Sequence, residues 1–410
     1  MTPKPPSIDQ IGSARCTGCF ACQAACTRGA IGVALDGDGF YKPSVDRGAC
    51  DECGQCERRC PVIPAERAMP AAEMWAEPTA FAAWTNDDSI RLASSSGGMF
   101  SELARPVIEA GGAVVGCVWG ANWTPEHVIA RTWADAERMR GSKYVPSRVG
   151  EAYRDVLLAL RERDMRVLFS GTPCQVAAMR NALNAKQRER VLLVEFFCHG
   201  VPSLRAFHGY LEELFGGEKV ASYTFRDKTL GWQTVVAESV HGQRYRSEMA
   251  TDVFGRGFVV ENLFLMEACY ECPFVRLPRA GDITLGDFWG CPEGWHDRKG
   301  VSVVLANSAA GLRALEAINA SGGISLKPVE LALAVAHNRC GDRGRYPAPR
   351  GRQPFLDGLA RGESFARLAE KYFPGKWGSL WRGFRQSKSK ARFVAEVLGQ
   401  HSRRVFGSSR

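Results

Sequence analysis

From about Ala80 onward the chain alternates short apolar runs with stretches whose apolar positions recur every three or four residues. The runs GAVVGCVW, MRVLFSG, VLLVEFF, DITLGDF and VSVVLAN are rich in Val, Leu and Phe and read as buried strands, with HVIARTW a further β-like segment. Amphipathic spacing predicts helices over GGMFSELARPVIEA and over residues 151–163, 175–183, 204–215, 252–268 and 309–319. Ser94, Ser95 and Ser96 stand where the first of these needs a cap. Strand–helix–strand alternation at this spacing predicts parallel βαβ units. Two or three antiparallel segments are expected between residues 221 and 249, and short helices beyond 331.

Residues 1–66 break this pattern: they are cysteine-dense and too short to bury much core of their own. A Pro- and Ala-rich linker is read at 67–79, then a body divided into 80–165 and 166–330, a helical extension at 331–375 and a tail at 376–410. With 410 residues, 45% hydrophobic and 24% charged, the chain can bury two or three ordinary cores. It has no apolar run long enough to span a bilayer, and MTPKPPSIDQ lacks the apolar stretch of a secretory signal, so a cytoplasmic protein is expected.

The net charge of +9 is local. The tail from Lys376 carries nine Lys or Arg against one acid, Glu396, which leaves the other 375 residues near neutrality. A nucleic-acid partner is therefore not expected. Trp377, Trp381, Phe384 and Phe393 are interleaved with Lys388, Lys390 and Arg392, a pattern open to peripheral contact with the inner face of a membrane or to an acidic partner. A solvated terminus is the plainer alternative.

Fifteen cysteines in such a chain argue for metal or redox chemistry over a disulfide scaffold. Cys16, Cys19, Cys22 and Cys26 follow C-x2-C-x2-C-x3-C, and Cys50, Cys53, Cys56 and Cys60 repeat it, with Pro61 after the last. Three thiolates two residues apart wrap one face of a cubane cluster, and the fourth reaches the other cluster. The expected partition is Cys16, Cys19, Cys22 and Cys60 on one 4Fe–4S cluster, and Cys50, Cys53, Cys56 and Cys26 on the second. Thr27 replaces the proline usual after the first run, which changes a turn and not a ligand. Paired zinc sites usually join two C-x2-C hairpins across a longer spacer, and two full four-cysteine runs speak against them.

Cys174 follows the strand MRVLFSG, and Cys198 ends the next strand. If those strands are parallel neighbours, both thiols lie at one carboxyl edge, where open α/β sheets bind ligands. Cys269 and Cys272 form a further C-x2-C turn, so four thiolates could meet there around a third cluster. Two alternatives stay open: burial as small hydrophobes, the evident reading for Cys117, and a reactive thiol at a helix start for Cys174.

RLASSSGGMF, GSKYVPS, LFSGTPCQVAAM, FCHGVPS, FRDKTLGW and CYECPF…GDITLGDFWG occur in that order behind the ferredoxin-type module. Together they resemble the family of coenzyme F420 hydrogenase/dehydrogenase beta subunits, over about residues 16–307. The fold class implied is α+β or α/β: a bacterial-type diferredoxin module, a mixed α/β flavin-binding body and short C-terminal helices. The resemblance implies FAD beside an iron–sulfur cluster, with Cys174, Cys198, Cys269 and Cys272 as that cluster's ligands. It implies flavin contacts at Ser94, Ser95, Ser96, Gly97 and Gly98, at Ser142, Lys143 and Tyr144, and at Gly171 and Thr172.

Physical chemistry supports part of this, because hydroxyls and glycine amides at a helix start suit phosphate, and Lys143 could supply a cation. Helix capping explains the same serines. The chain has no G-x-G-x-x-G, so a Rossmann-type dinucleotide site is not expected. His199 is a candidate proton relay, or a histidine hydrogen-bonded within its loop. Arg226, Asp227, Lys228 and Asp287 read equally as turn residues or ligand contacts.

The function expected is that of an iron–sulfur flavoprotein oxidoreductase. It would move electrons between its clusters and a two-electron small molecule, coenzyme F420 being one candidate, with a ferredoxin or a hydrogenase or dehydrogenase subunit as redox partner. The alternative is a non-catalytic electron-relay or assembly subunit, for example one tied to bacterial polysaccharide biosynthesis.

Overall fold

The computed structural model describes residues 8–63, 73–162, 164–229, 231–295, 297–338 and 346–372. The basic tail, Cys340 and residues 67–72 of the linker lie outside them. The small N-terminal unit carries the hairpin β1 (Ile31–Leu35) and β2 (Tyr41–Val45) between two short helices, Ala21–Ala25 and Gln55–Arg59.

The body is built on an eight-stranded sheet formed by β3 (Thr79–Thr85), β4 (Ala113–Trp119), β5 (Pro125–Ala130), β6 (Val167–Gly171), β7 (Val191–Phe196) and three later strands. A separate three-stranded antiparallel sheet holds β8 (Val220–Asp227), β9 (Thr234–Ser239) and β10 (Arg244–Glu248). The large sheet is completed by β11 (Ile283–Asp287), β12 (Ser302–Ala306) and β13 (Ile324–Val329), in the order β13-β3-β12-β11-β7-β6-β4-β5.

Strands β4, β6, β7 and β11 run parallel, as their apolar runs predicted, while β5 and β12 pair antiparallel. Helices cover both faces, the condition under which parallel strands read as continuous hydrophobic runs. One face packs the helix Met99–Glu109 and the helix Ala309–Ala320. The other packs the helices Gly150–Ala159 and Pro173–Ala182 and, directly on them, Cys19, Phe20 and Ala21 of the N-terminal unit. The buried Tyr153 hydroxyl donates to the carbonyls of Cys19 (3.0 Å) and Gln175 (3.2 Å), tying the two units together. An aromatic-rich core fills the space between β8–β10 and the helices Leu204–Leu214, Val253–Val259, Arg352–Ala360 and Phe365–Tyr372.

Three expectations need correction. The helix over 252–268 is two, Val253–Val259 and Glu267–Tyr270. Gly255 and Gly257 weaken it, and Asn262 takes φ +50°, turning the chain so that Leu265 bridges to Pro202. The three serines are not the N-cap of Met99–Glu109, because Gly98 holds that place at φ +89°. Finally, the edge strand β13 and its neighbour β3 join the sheet without a strand signal in the sequence; TAFAAWT is too rich in alanine to stand out as a strand.

Candidate functional site

Left-handed turns at Gly18 (φ +59°) and Phe20 (φ +63°) curl the first cysteine loop onto itself. Cys16, Cys19, Cys22 and Cys60 then line one cavity with Ile8, Val33, Pro43 and Val62, the expected four ligands of the first cluster. Burial pushes the Cys19 and Cys22 thiols far above their usual range, and the neighbouring Cys60 and Cys16 push them further. Burial likewise raises Cys60 to about 11. Crowded buried thiols resist ionisation until a cation joins them, so metal loading must displace protons.

The other four are less enclosed. Cys26 and Cys56 pack against the same small apolar cluster as Cys22 and Cys60, and Cys53 lies close enough to Cys56 to raise its pKa, behind the larger effect of burial. Cys50 follows β2, and Cys53 is exposed. The N-terminal unit therefore has an inner end against the body and an outer end toward solvent.

A second cavity lies at the carboxyl edge of the parallel strands. Cys174 is the second residue of the helix that follows β6, and Cys198 stands just past β7. Cys269 sits in the helix Glu267–Tyr270 and Cys272 just beyond it. All four line this cavity with Thr17, Pro173, Gly200, Val201, Val275 and Arg279. Burial raises Cys174 and Cys269 well above the usual thiol range, and the other cysteines of the set add to it. Cys19 of the first set contributes to the rise at Cys174, so the two sets adjoin. Among the described residues no three Cys, His, Asp or Glu side chains converge on a single-ion position. The thiols border the two cavities.

Residue pattern did not reveal the wall of the second cavity. Arg279 and Glu195 are 1% and 0% exposed and pair at 2.5 Å, with Gly281 N–H and the Thr284 hydroxyl also donating to Glu195. Nothing in the spacing of a lone Arg and a strand Glu marks them as partners.

The flavin candidates gather along the same sheet edge. The Ser142 amide and hydroxyl donate to Ser95 Oγ at 2.7 and 2.9 Å. Arg226 donates to Tyr144 Oη (3.0 Å), the Ser95 carbonyl (3.4 Å) and Asp287 (2.7 Å). Lys228 donates to the Arg91, Ser96 and Lys299 carbonyls, and burial lowers its pKa to about 7. Several of the groups expected to face phosphate are engaged within the fold. Ser94 Oγ donates to the Ile90 carbonyl, Ser96 Oγ to the Val301 carbonyl, and Gly97 N–H to Ser302 Oγ. Lys143 Nζ donates to the carbonyls of Arg138, Met139 and Arg140, and burial lowers its pKa to about 8.

Gly171 ends β6, and the Thr172 hydroxyl lies 3.1 Å from Cys174 Sγ, beside the second cavity. His199 shares a 2.7 Å hydrogen bond with Asn262 and packs against Phe258 and Tyr346.

The models for coenzyme F420 hydrogenase/dehydrogenase beta subunit, N-terminal and C-terminal parts, match residues 80–154 and 164–331, and a 4Fe-4S dicluster domain matches 15–63. The chain belongs to the family of coenzyme F420 hydrogenase/dehydrogenase beta subunits. Its N-terminal unit is a ferredoxin-type iron–sulfur domain, which makes it an iron–sulfur member of an oxidoreductase family.

An F(420)H(2) dehydrogenase subunit of Methanosarcina mazei is 28% identical over 214 residues, covering 50% of this chain and 58% of that protein. The chain thus matches little more than half the length of that relative. A solved structure of the F420-reducing NiFe hydrogenase complex from Methanosarcina barkeri aligns at TM-score 0.45 and 19% identity, covering 74% of this chain and 94% of that one. No helix of the described residues is long and apolar enough to cross a membrane.

Proposed function

We propose that the chain is an electron-transferring oxidoreductase that connects a two-electron small molecule to a redox partner protein through FAD and three 4Fe–4S clusters. Two four-cysteine cavities that share Thr17 in their walls carry this reading, because thiols so arranged suit clusters set side by side. When bound, a flavin supplies hydride exchange and release of single electrons, and the clusters supply one-electron transfer.

The chain's own residues hold and tune these groups. Cys174, Cys198, Cys269 and Cys272 would hold the innermost cluster, with Arg279 setting a buried cation in its wall. Cys16, Cys19, Cys22 and Cys60 would hold the next, and Cys26, Cys50, Cys53 and Cys56 the outermost, where the exposed Cys53 favours exchange with a partner. Arg226, paired with Asp287, sets a guanidinium at the sheet edge beside Ser95 and Tyr144, a group suited to an anionic flavin nucleotide. His199 beside Cys198 is the candidate proton-holding group. Coenzyme F420 is the small molecule named by the family and by the M. mazei relative, and the word subunit in both names supports a protein partner.

A relay subunit without a substrate site is the second reading. It is favoured by the engagement of Ser94, Ser96 and Lys143 within the fold. Anaerobic purification with flavin and iron counts separates the two. Bound FAD that bleaches on addition of reduced coenzyme F420 supports the first reading, and iron without flavin supports the relay.

A further inference from the structure

Thr17 is the residue between Cys16 and the turn at Gly18, and it lines both cysteine cavities. It is 8% exposed, and its Oγ1 has no hydrogen-bond partner among the described residues. A buried hydroxyl left unpaired is costly, so such an atom marks a missing partner. The side chains lining the two cavities offer sulfur and hydrocarbon, plus Arg279, which can only donate. Sulfur is the one acceptor that those side chains offer Thr17.

We propose that Thr17 is a positioning residue that donates its hydroxyl proton to a sulfur of one of the two adjoining clusters and raises that cluster's reduction potential. The inference rests on the three-cluster reading above. Reduction adds negative charge to the cluster, and a donor aimed at its sulfur stabilises the reduced state more than the oxidised one. Its place between the sets lets one side chain bias the equilibrium of an electron shared across them.

Thr17→Val replaces the hydroxyl by a methyl of the same shape, and Thr17→Ser keeps the hydroxyl. Full-length protein, prepared anaerobically, is titrated by EPR with iron counted in the same samples. Thr17→Val is expected to bind about twelve irons, four per cluster, and to lower one cluster's reduction equilibrium about tenfold, ~59 mV for a one-electron couple. Thr17→Ser is expected to return that potential to the wild-type value. Unchanged potentials in Thr17→Val with all three clusters present overturn the proposal and leave the three-cluster reading intact. An equal shift in Thr17→Ser also overturns it, since packing and not the hydroxyl would then be responsible. Wild-type protein with about eight irons overturns the reading itself, and the proposal with it.

Discussion

Arg279 in the wall of the inner cavity is paired with the buried Glu195 behind it, and removal of this pair in two ways gives a quantitative test. Both side chains are essentially inaccessible, and the 2.5 Å contact is backed by Gly281 N–H and Thr284 on the carboxylate and by the Phe274 carbonyl on the guanidinium. Glu195→Gln keeps the shape but leaves the Arg279 cation unmatched, and Arg279→Met leaves the carboxylate unmatched. Breaking a buried pair from one side costs about 3–5 kcal/mol, because an uncompensated charge remains in a low-dielectric site.

The double variant carries no buried charge. Its main debit is the loss of Arg279 as donor to the Phe274 carbonyl and, at a longer 3.4 Å, to the Phe196 carbonyl, about 1–3 kcal/mol; Arg279→Met suffers the same loss. The singles should therefore overshoot additivity, with the double at least about 3 kcal/mol more stable than their sum predicts. Urea unfolding of anaerobically prepared protein, followed by fluorescence for wild type and the three variants in parallel, measures this. A coupling within about 0.5 kcal/mol of zero would refute the pairing as an energetic unit.

Other consequences are local. Gly97→Ala would bring a Cβ to 2.4 Å from the Ala83 carbonyl and 2.9 Å from Ser302 N, both backbone atoms, so a loss of about 1–3 kcal/mol and a lower melting temperature are expected. Tyr153→Phe removes the hydroxyl shared by Cys19 and Gln175 and should cost about 1–3 kcal/mol by the same unfolding assay. His127 is 8% exposed, its Nε2 faces the Ser170 carbonyl at 3.2 Å, and burial lowers its pKa from 6.5 to about 4. Its neutral form is favoured in the fold, so its contribution is complete above pH 6.5 and lost as pH falls toward 4, about 3 kcal/mol in all. His127→Gln should flatten the urea midpoint over that window relative to wild type, and an unchanged slope would contradict the assignment.

Much of the fold was legible because strands buried on both faces advertise themselves as unbroken apolar runs, and the parallel β4, β6, β7 and β11 and the antiparallel β12 all did. The ferredoxin-type spacing was equally plain, since covalent ligand geometry dictates it. Cys174 and Cys198 could be placed at one sheet edge from strand order alone. What stayed hidden depends on packing between distant segments. Gly97 reads as a phosphate-loop glycine, yet it is small because β3 and β12 press against it. Ser94 and Ser96 look like caps for the helix after them, but their hydroxyls are held by carbonyls of Ile90 and Val301. Thr17 carries no signal in a C-x2-C spacer, and only the docking of the N-terminal unit on the body puts it between two cavities.

The central claim is that a second four-thiol cage inside the α/β body holds a cluster next to the ferredoxin-type domain. Iron and acid-labile sulfide, counted per chain in anaerobic wild-type and Cys269→Ser protein, test it most directly. About twelve irons falling to about eight in the variant, with the ferredoxin-type EPR signals retained, is the predicted result. About eight irons in both proteins would contradict it.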